Sequence, residues 1–147
     1  MPKIKFVLIL IIIVFRGYSQ ESSIQKITWG TLKDVKFTKK FNKEYELDFL
    51  YPTFGASLQK LEGKYVEIKG YVIPVSQNLY VLSAKPMAAC FFCGGSGPES
   101  ILQLNFNTKN RFKTDQIITV KGKFKLNSDN VDDLNYILDD ASLIQFN

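Results

Sequence analysis

Two stretches of the chain alternate apolar and polar residues with a period of two. Val66, Ile68, Gly70 and Val72 share one face against Tyr65, Glu67, Lys69 and Tyr71, and Ile118, Val120, Gly122 and Phe124 repeat the phase against Thr119, Lys121 and Lys123. Such alternation marks strands with one buried face. Each stretch carries a glycine at the same inward step. Glycine weakens a strand unless the strand bends sharply there or admits a close neighbour, so the pair predicts a small, strongly coiled barrel.

Three further strands fit the same scheme. Leu79 to Ser83 is entered through Ser76-Gln77-Asn78 after Pro74, Ile101 to Phe106 turns Leu102, Leu104 and Phe106 inward, and Tyr136 to Phe146 closes the chain. Asn107 to Gln116 is polar without a helical stripe and reads as a loop. Leu126 to Asn130 reads as a turn, and Val131 to Leu134 as one helical turn. About five strands in this order predict an all-β fold, an OB-like Greek-key barrel. Ahead of them Val35 and Phe37 start a short strand, Lys39 to Glu44 reads as a solvated loop, and Tyr45 to Tyr51 as an extended aromatic run ended by Pro52. A short helix is predicted over Ser57 to Glu62, capped by Ser57, with Leu58 and Leu61 on one face and Gly63 at its end. The single Trp29 sets the start of the ordered domain, and this N-terminal aromatic extension is expected to lie as a lid on the core.

The first residues change the picture of where the protein works. Lys3 and Lys5 precede an unbroken apolar run from Phe6 to Phe15, and Gly17-Tyr18-Ser19 supplies small residues at the positions a signal peptidase reads. The expected organisation is a signal peptide over 1–19, a flexible segment over 20–28 and a barrel domain over 29–147. The apolar run is too short for the roughly 20 residues of a membrane span, so no transmembrane segment is expected after cleavage. The mature protein is expected in the periplasm or outside the cell. Removing Lys3, Lys5 and Arg16 leaves 16 basic against 14 acidic residues, so a formal charge of +5 becomes +2. That near balance gives no reason to expect nucleic acid as a partner.

The chemistry that remains is concentrated in Met87-Ala88-Ala89-Cys90-Phe91-Phe92-Cys93-Gly94-Gly95-Ser96-Gly97-Pro98. This stretch holds both cysteines of a chain with no histidine. Without histidine, Ser-His-Asp and Cys-His mechanisms are excluded within the chain, and a non-enzymatic role is expected. Cys90 and Cys93 are spaced so that both sulfurs can face one metal. Zinc prefers four ligands, so the rest would come from Glu99, a second copy or an envelope protein, whereas Cu(I) accepts two thiolates. Alternatively the pair closes into a disulfide in an oxidising compartment, stabilising by the low end of roughly 2–4 kcal/mol, and the loop shapes a contact surface. Redox catalysis lacks the helix that lowers a thiol pKa, because Gly94 to Pro98 is a poor helix former. Phe91 or Phe92 is expected to pack on the barrel end. Asp129, Asp132, Asp133, Asp139 and Asp140 lack calcium-loop spacing and read as turn and surface residues.

The run from Leu61 to Pro74, with its Gly70-Tyr71-Val72-Ile73-Pro74 strand end, followed by Tyr80-Val81-Leu82-Ser83 and the cysteine loop, resembles a family of exported bacterial proteins of unknown function. Members of that family combine an OB-like barrel with a Cys-containing loop after the second strand. Many carry Cys-x-His at that loop, where this chain has Phe92 in place of the histidine and adds Cys93. The resemblance spans roughly Trp29 to the C-terminus and implies an association with zinc-handling transport systems. The leader, ending in Ser19-Gln20, is similar to those of Bacteroidetes proteins.

Overall fold

The computed structural model describes residues 23–146. The predicted signal peptide therefore lies outside the described residues, as does the start of the flexible segment. The strands are β1 (Gln25–Lys26), β2 (Val35–Asn42), β3 (Leu47–Phe54), β4 (Tyr65–Pro74), β5 (Tyr80–Ser83), β6 (Ile101–Phe106), β7 (Gln116–Leu126) and β8 (Tyr136–Phe146). The last five form a closed barrel in the order β4-β5-β6-β8-β7, with β7 pairing back onto β4. All these pairings are antiparallel except β6 with β8. This is the OB-type Greek key that the alternation predicts. Val66, Ile68, Val72, Ile118, Val120 and Phe124 are all buried in its core.

The two inward glycines do different work. Two residues of β8, Asp140 and Ala141, face Gly122 alone on β7, because Lys121 pairs with Ser142 and Lys123 with Asp139. A Cβ on Gly122 would lie 2.8 Å from the Asp139 carbonyl oxygen, so the missing side chain lets β8 bulge inward and bend the barrel. Gly70 instead admits a neighbour: a Cβ there would meet Trp29 Cζ2 at 2.9 Å and the Ser83 carbonyl at 2.7 Å.

Trp29 is needed there because β5 is short. On β4 it pairs only with Tyr71–Pro74, leaving the first half of that β4 edge uncovered. The N-terminal segment completes it: β1 pairs parallel with β4, the Ile27 N–H donates to the Glu67 carbonyl at 2.9 Å, and the Trp29 indole N–H donates to the Lys69 carbonyl at 2.8 Å. The start of the extension is thus part of the sheet's hydrogen bonding, and Trp29, Val35 and Phe54 pack against the core, but the lid expected of the aromatic run is only partial: Phe41, Tyr45, Leu47 and Leu50 are exposed.

Three local expectations are corrected. Lys39 to Asn42 do not interrupt β2, and β3 runs through Pro52, which pairs with Phe37. Both strands belong to a separate two-stranded ribbon, where each strand has a free edge and a proline costs no ladder bond if its nitrogen faces outward. The short helix α1 spans Ala56–Gln59 with Gly55 at its N-cap, and Ser57 is not the cap. A distant residue serves instead: the Asp34 carboxylate accepts the Ser57 N–H at 3.1 Å and its hydroxyl at 2.5 Å. Leu58 and Leu61 are buried as predicted. Finally, residues 131–134 form turns rather than a helical turn, because Asn127 draws the chain around its own side chain. Its amide nitrogen donates to the carbonyls of Asn130, Asp133 and Leu134 at 2.6, 3.2 and 3.3 Å. Among the described residues no helix is long and apolar enough to cross a membrane.

Candidate binding cleft and the cysteine loop

The cysteine loop joins β5 to β6, and its ends are tied where the Ala84 N–H donates to the Ser100 carbonyl at 2.9 Å. Inside it, two short 3-10 turns, Met87–Ala89 and Phe91–Cys93, meet at Cys90. The Cys90 carbonyl accepts the N–H groups of Cys93 at 3.2 Å and Gly95 at 3.0 Å. Each adjacent glycine has its own reason. Gly94 takes φ of 73° with open space around it, and Gly95 lies so close to Ala89 that a Cβ would sit 2.6 Å from its carbonyl oxygen. The loop is further held by Asp115, whose carboxylate accepts the Met87 N–H at 2.7 Å, and by the Ser96 hydroxyl, which donates to the Ala89 carbonyl at 3.1 Å.

This tight winding separates the two thiols by environment. Cys90 is fully buried and Cys93 is exposed, and both are free. The Glu99 carboxylate folds back over Gly97, and its charge helps raise the pKa of the Tyr136 phenol, after the larger effect of burial. Among the described residues no three His, Cys, Asp or Glu side chains come together as a metal-binding group. Cys90, Cys93 and Glu99 therefore share a loop without forming a ready set of three ligands. Phe91 is half-buried, as expected of one of the two phenylalanines, while Phe92 is 51% exposed.

The loop does contribute to a concave site. Phe91 and Pro98, with Ile101 at the start of β6, form one wall of a cleft of about 340 Å³; residues 48–52 of β3 form another, and the β7–β8 connection, including Asp129, Val131 and Asp133, forms the third. Side-chain hydrogen bonds fix the third wall. Gln103, buried on β6, donates to the Asp133 carboxylate at 2.9 Å and accepts the Leu134 N–H at 3.1 Å. The β2–β3 ribbon is fixed at its tip, where the Tyr45 hydroxyl donates to Asp132 at 2.8 Å. That hydrogen bond, with the nearby negative charge, raises the Tyr45 pKa. At its base Phe54 packs against Tyr136, with ring centroids 5.7 Å apart.

With this arrangement in view, the chain can be set beside known proteins. Its fold is similar to that of a DUF3299 family protein. The crystal structure is that of the Pseudomonas aeruginosa PAO1 protein, with a TM-score of 0.53 and 12% identity, covering 85% of this chain and 99% of that one. At that identity the likeness concerns the fold alone. No family model and no curated protein matches the chain.

Gln103 and Asn127, whose side chains fix the third wall, were not singled out from sequence, and the β3 residues were read there as a lid and not as a cleft wall. Asn127 had a readable signal, an asparagine opening a polar Asn-Ser-Asp-Asn turn. Gln103 had none, because with Asn105 it falls on the ordinary outward phase of β6.

Proposed function

We propose that this is an exported, non-enzymatic binding protein of the cell envelope whose partner is held in the cleft between β3, the cysteine loop and the β7–β8 connection. One observation carries the reading: three segments far apart in sequence converge on a single concavity lined by aromatic and aliphatic side chains with a few carboxylates. The cysteine loop acts in this reading as a wall, held by its backbone hydrogen bonds without a disulfide. The test is a photo-crosslinking residue placed at Leu50, on the cleft, and at Lys123, on β7, in cells that make the protein. The reading expects a discrete crosslinked partner from Leu50 alone. Identical patterns from both sites, or none, refute it.

A second reading, that the loop carries a soft metal, is favoured by the single turn closed between Cys90 and Cys93. Cu(I) needs only two thiolates, whereas Zn(II) would need further donors from Glu99, a second copy or a partner. Cys90 would have to leave its buried position to bind. Titration of the reduced protein with Cu(I) and Zn(II) decides the matter: this reading requires binding tighter than that of a Cys90→Ser, Cys93→Ser double variant.

A further inference from the structure

The cleft lies along a strand edge with unused backbone groups. The Gly55 N–H donates to the Asp34 carbonyl at 2.7 Å, immediately beyond the Val35↔Phe54 pair of the β2–β3 register. Hydrogen-bonded and non-hydrogen-bonded pairs alternate along an antiparallel ladder. Counting from Asp34 and Gly55, residues Phe54, Pro52, Leu50 and Asp48 point their backbone groups away from β2. Two features agree with that phase. The Phe54 carbonyl accepts the Gln59 side-chain amide at 2.9 Å, and the position at Pro52 has no N–H to lose. This leaves the N–H and C=O of Asp48 and of Leu50, and the C=O of Pro52, without a ladder partner, since β3 pairs only with β2 among the described residues.

The same residues, 48–52, all line the cleft. Alternate residues of a strand face opposite sides, so five consecutive ones border a cavity only where its edge is presented. The free edge is bounded by the Tyr45–Asp132 contact at one end and by Gln59 on Phe54 at the other. Its accessible part, residues 48–51, is about 14 Å long, because Pro52 is buried.

The charge of the walls selects the occupant. Asp48, Asp129 and Asp133 line the cleft and no lysine or arginine does. Lys39 pairs with Asp48 at 2.9 Å from outside the cleft, on an exposed position. The partners of Asp133 are the neutral amides of Gln103 and Asn130. The cleft is thus locally acidic on a chain of net positive charge.

From this, and resting on the reading of the cleft as the binding site, we infer that the ligand is an extended, lysine- or arginine-bearing segment of a partner protein that adds to β3 as a third strand. Backbone hydrogen bonds to the exposed Asp48 and Leu50 hold it, Phe91 and Val131 contact its apolar side chains, and the carboxylates select its basic ones. A second copy of the chain is disfavoured as occupant because its own β3 edge, residues 48–52, carries no lysine or arginine to meet these carboxylates.

The test is selection of random ten-residue displayed peptides on the mature protein, followed by N-methylation of each amide of a selected peptide in turn. The inference expects Lys and Arg to be enriched. It also expects about tenfold weaker binding from N-methylation at every second residue and little change at the residues between, since each edge hydrogen bond contributes on that order. Leu50→Pro, which removes an outward N–H, should weaken binding similarly, and Leu50→Ala should not; Trp29 fluorescence confirms that both fold. Peptides that bind with no basic bias, or whose N-methylation has no two-residue period, overturn strand addition. If no peptide binds while Leu50 still crosslinks a partner in cells, this inference falls and the cleft reading stands. If both fail, both fall. A dimer broken by Leu50→Pro would overturn the partner assignment in favour of a second copy.

Discussion

Replacing Gly70 by alanine adds one methyl group at the place where the N-terminal segment seals the barrel. The new Cβ would lie 2.7 Å from the Ser83 carbonyl oxygen and 2.9 Å from both Leu82 Cγ and Trp29 Cζ2. None of the three yields easily. Ser83 is backbone in the β4–β5 ladder, Leu82 is fully buried, and Trp29 is held by its indole hydrogen bond to Lys69. Overpacking of this kind costs about 1–3 kcal/mol, against a gain of roughly 0.5–1 kcal/mol when alanine replaces glycine in an unstrained strand. The expected outcome is a net loss of about 1–2 kcal/mol. Urea denaturation followed by the fluorescence of Trp29, the single tryptophan, reads it directly. With a slope of roughly 2 kcal/mol per molar, the midpoint should fall by about 0.5–1 M. Gly63 is the control, because its φ is 75° and nothing lies within 4 Å of its missing Cβ. There alanine should cost about 1–2 kcal/mol through backbone strain, and asparagine, which tolerates that conformation, should recover part of the loss. At Gly70 asparagine should recover nothing. A Gly70→Ala midpoint at or above that of the parent, or a Gly70→Asn protein as stable as the parent, would refute the packing argument.

Other predictions concern the loop, the core and the helix cap. Iodoacetamide should modify Cys93 in the native protein and Cys90 only after urea is added, as judged by peptide mass mapping; equal native rates would contradict the separation of the two thiols. Tyr136→Phe removes the hydroxyl that donates to the buried Leu32 carbonyl at 2.8 Å, and should cost about 1–3 kcal/mol in urea denaturation because that carbonyl is left unpaired. The Asp34 carboxyl is held below its usual pKa by hydrogen bonds from the Ser57 hydroxyl and N–H. A lowered folded pKa stabilises fully above the unfolded value of about 3.9 and loses that contribution as pH falls through the folded value. The urea midpoints of the parent and Asp34→Asn should therefore differ most near neutrality and converge in acid; a gap that stays constant from pH 7 to pH 2 would contradict this.

Much of the barrel was legible because burial is written with a short period. The inward residues of β4 and β7 repeat every second position, and the glycine in each strand marks a place where the sheet needs room, so Gly70 and Gly122 could be singled out before their neighbours were known. The cysteine loop was placed correctly between β5 and β6 for the same reason, since the strands on either side are clear. The hairpin was harder. Lysines at 39 and 40 and proline at 52 resemble loop residues, and they fit a strand only because β2 and β3 form a ribbon of two exposed edges. The helix cap failed in a similar way, because Asp34 reaches Ser57 from an element distant in sequence.

The sequence alone therefore determined which faces of the strands would be buried, where the chain would bend, and which loop would hold the thiols. Each of these follows from residues a few positions apart. Only the tertiary structure decided that Cys90 is enclosed while Cys93 is open, that these two and Glu99 form no three-ligand group, and that the edge of β3 meets an acidic wall to form a cleft. These relations join segments as far apart as residues 48 and 133, and the closure of the barrel, which no local pattern encodes, sets the distances between them.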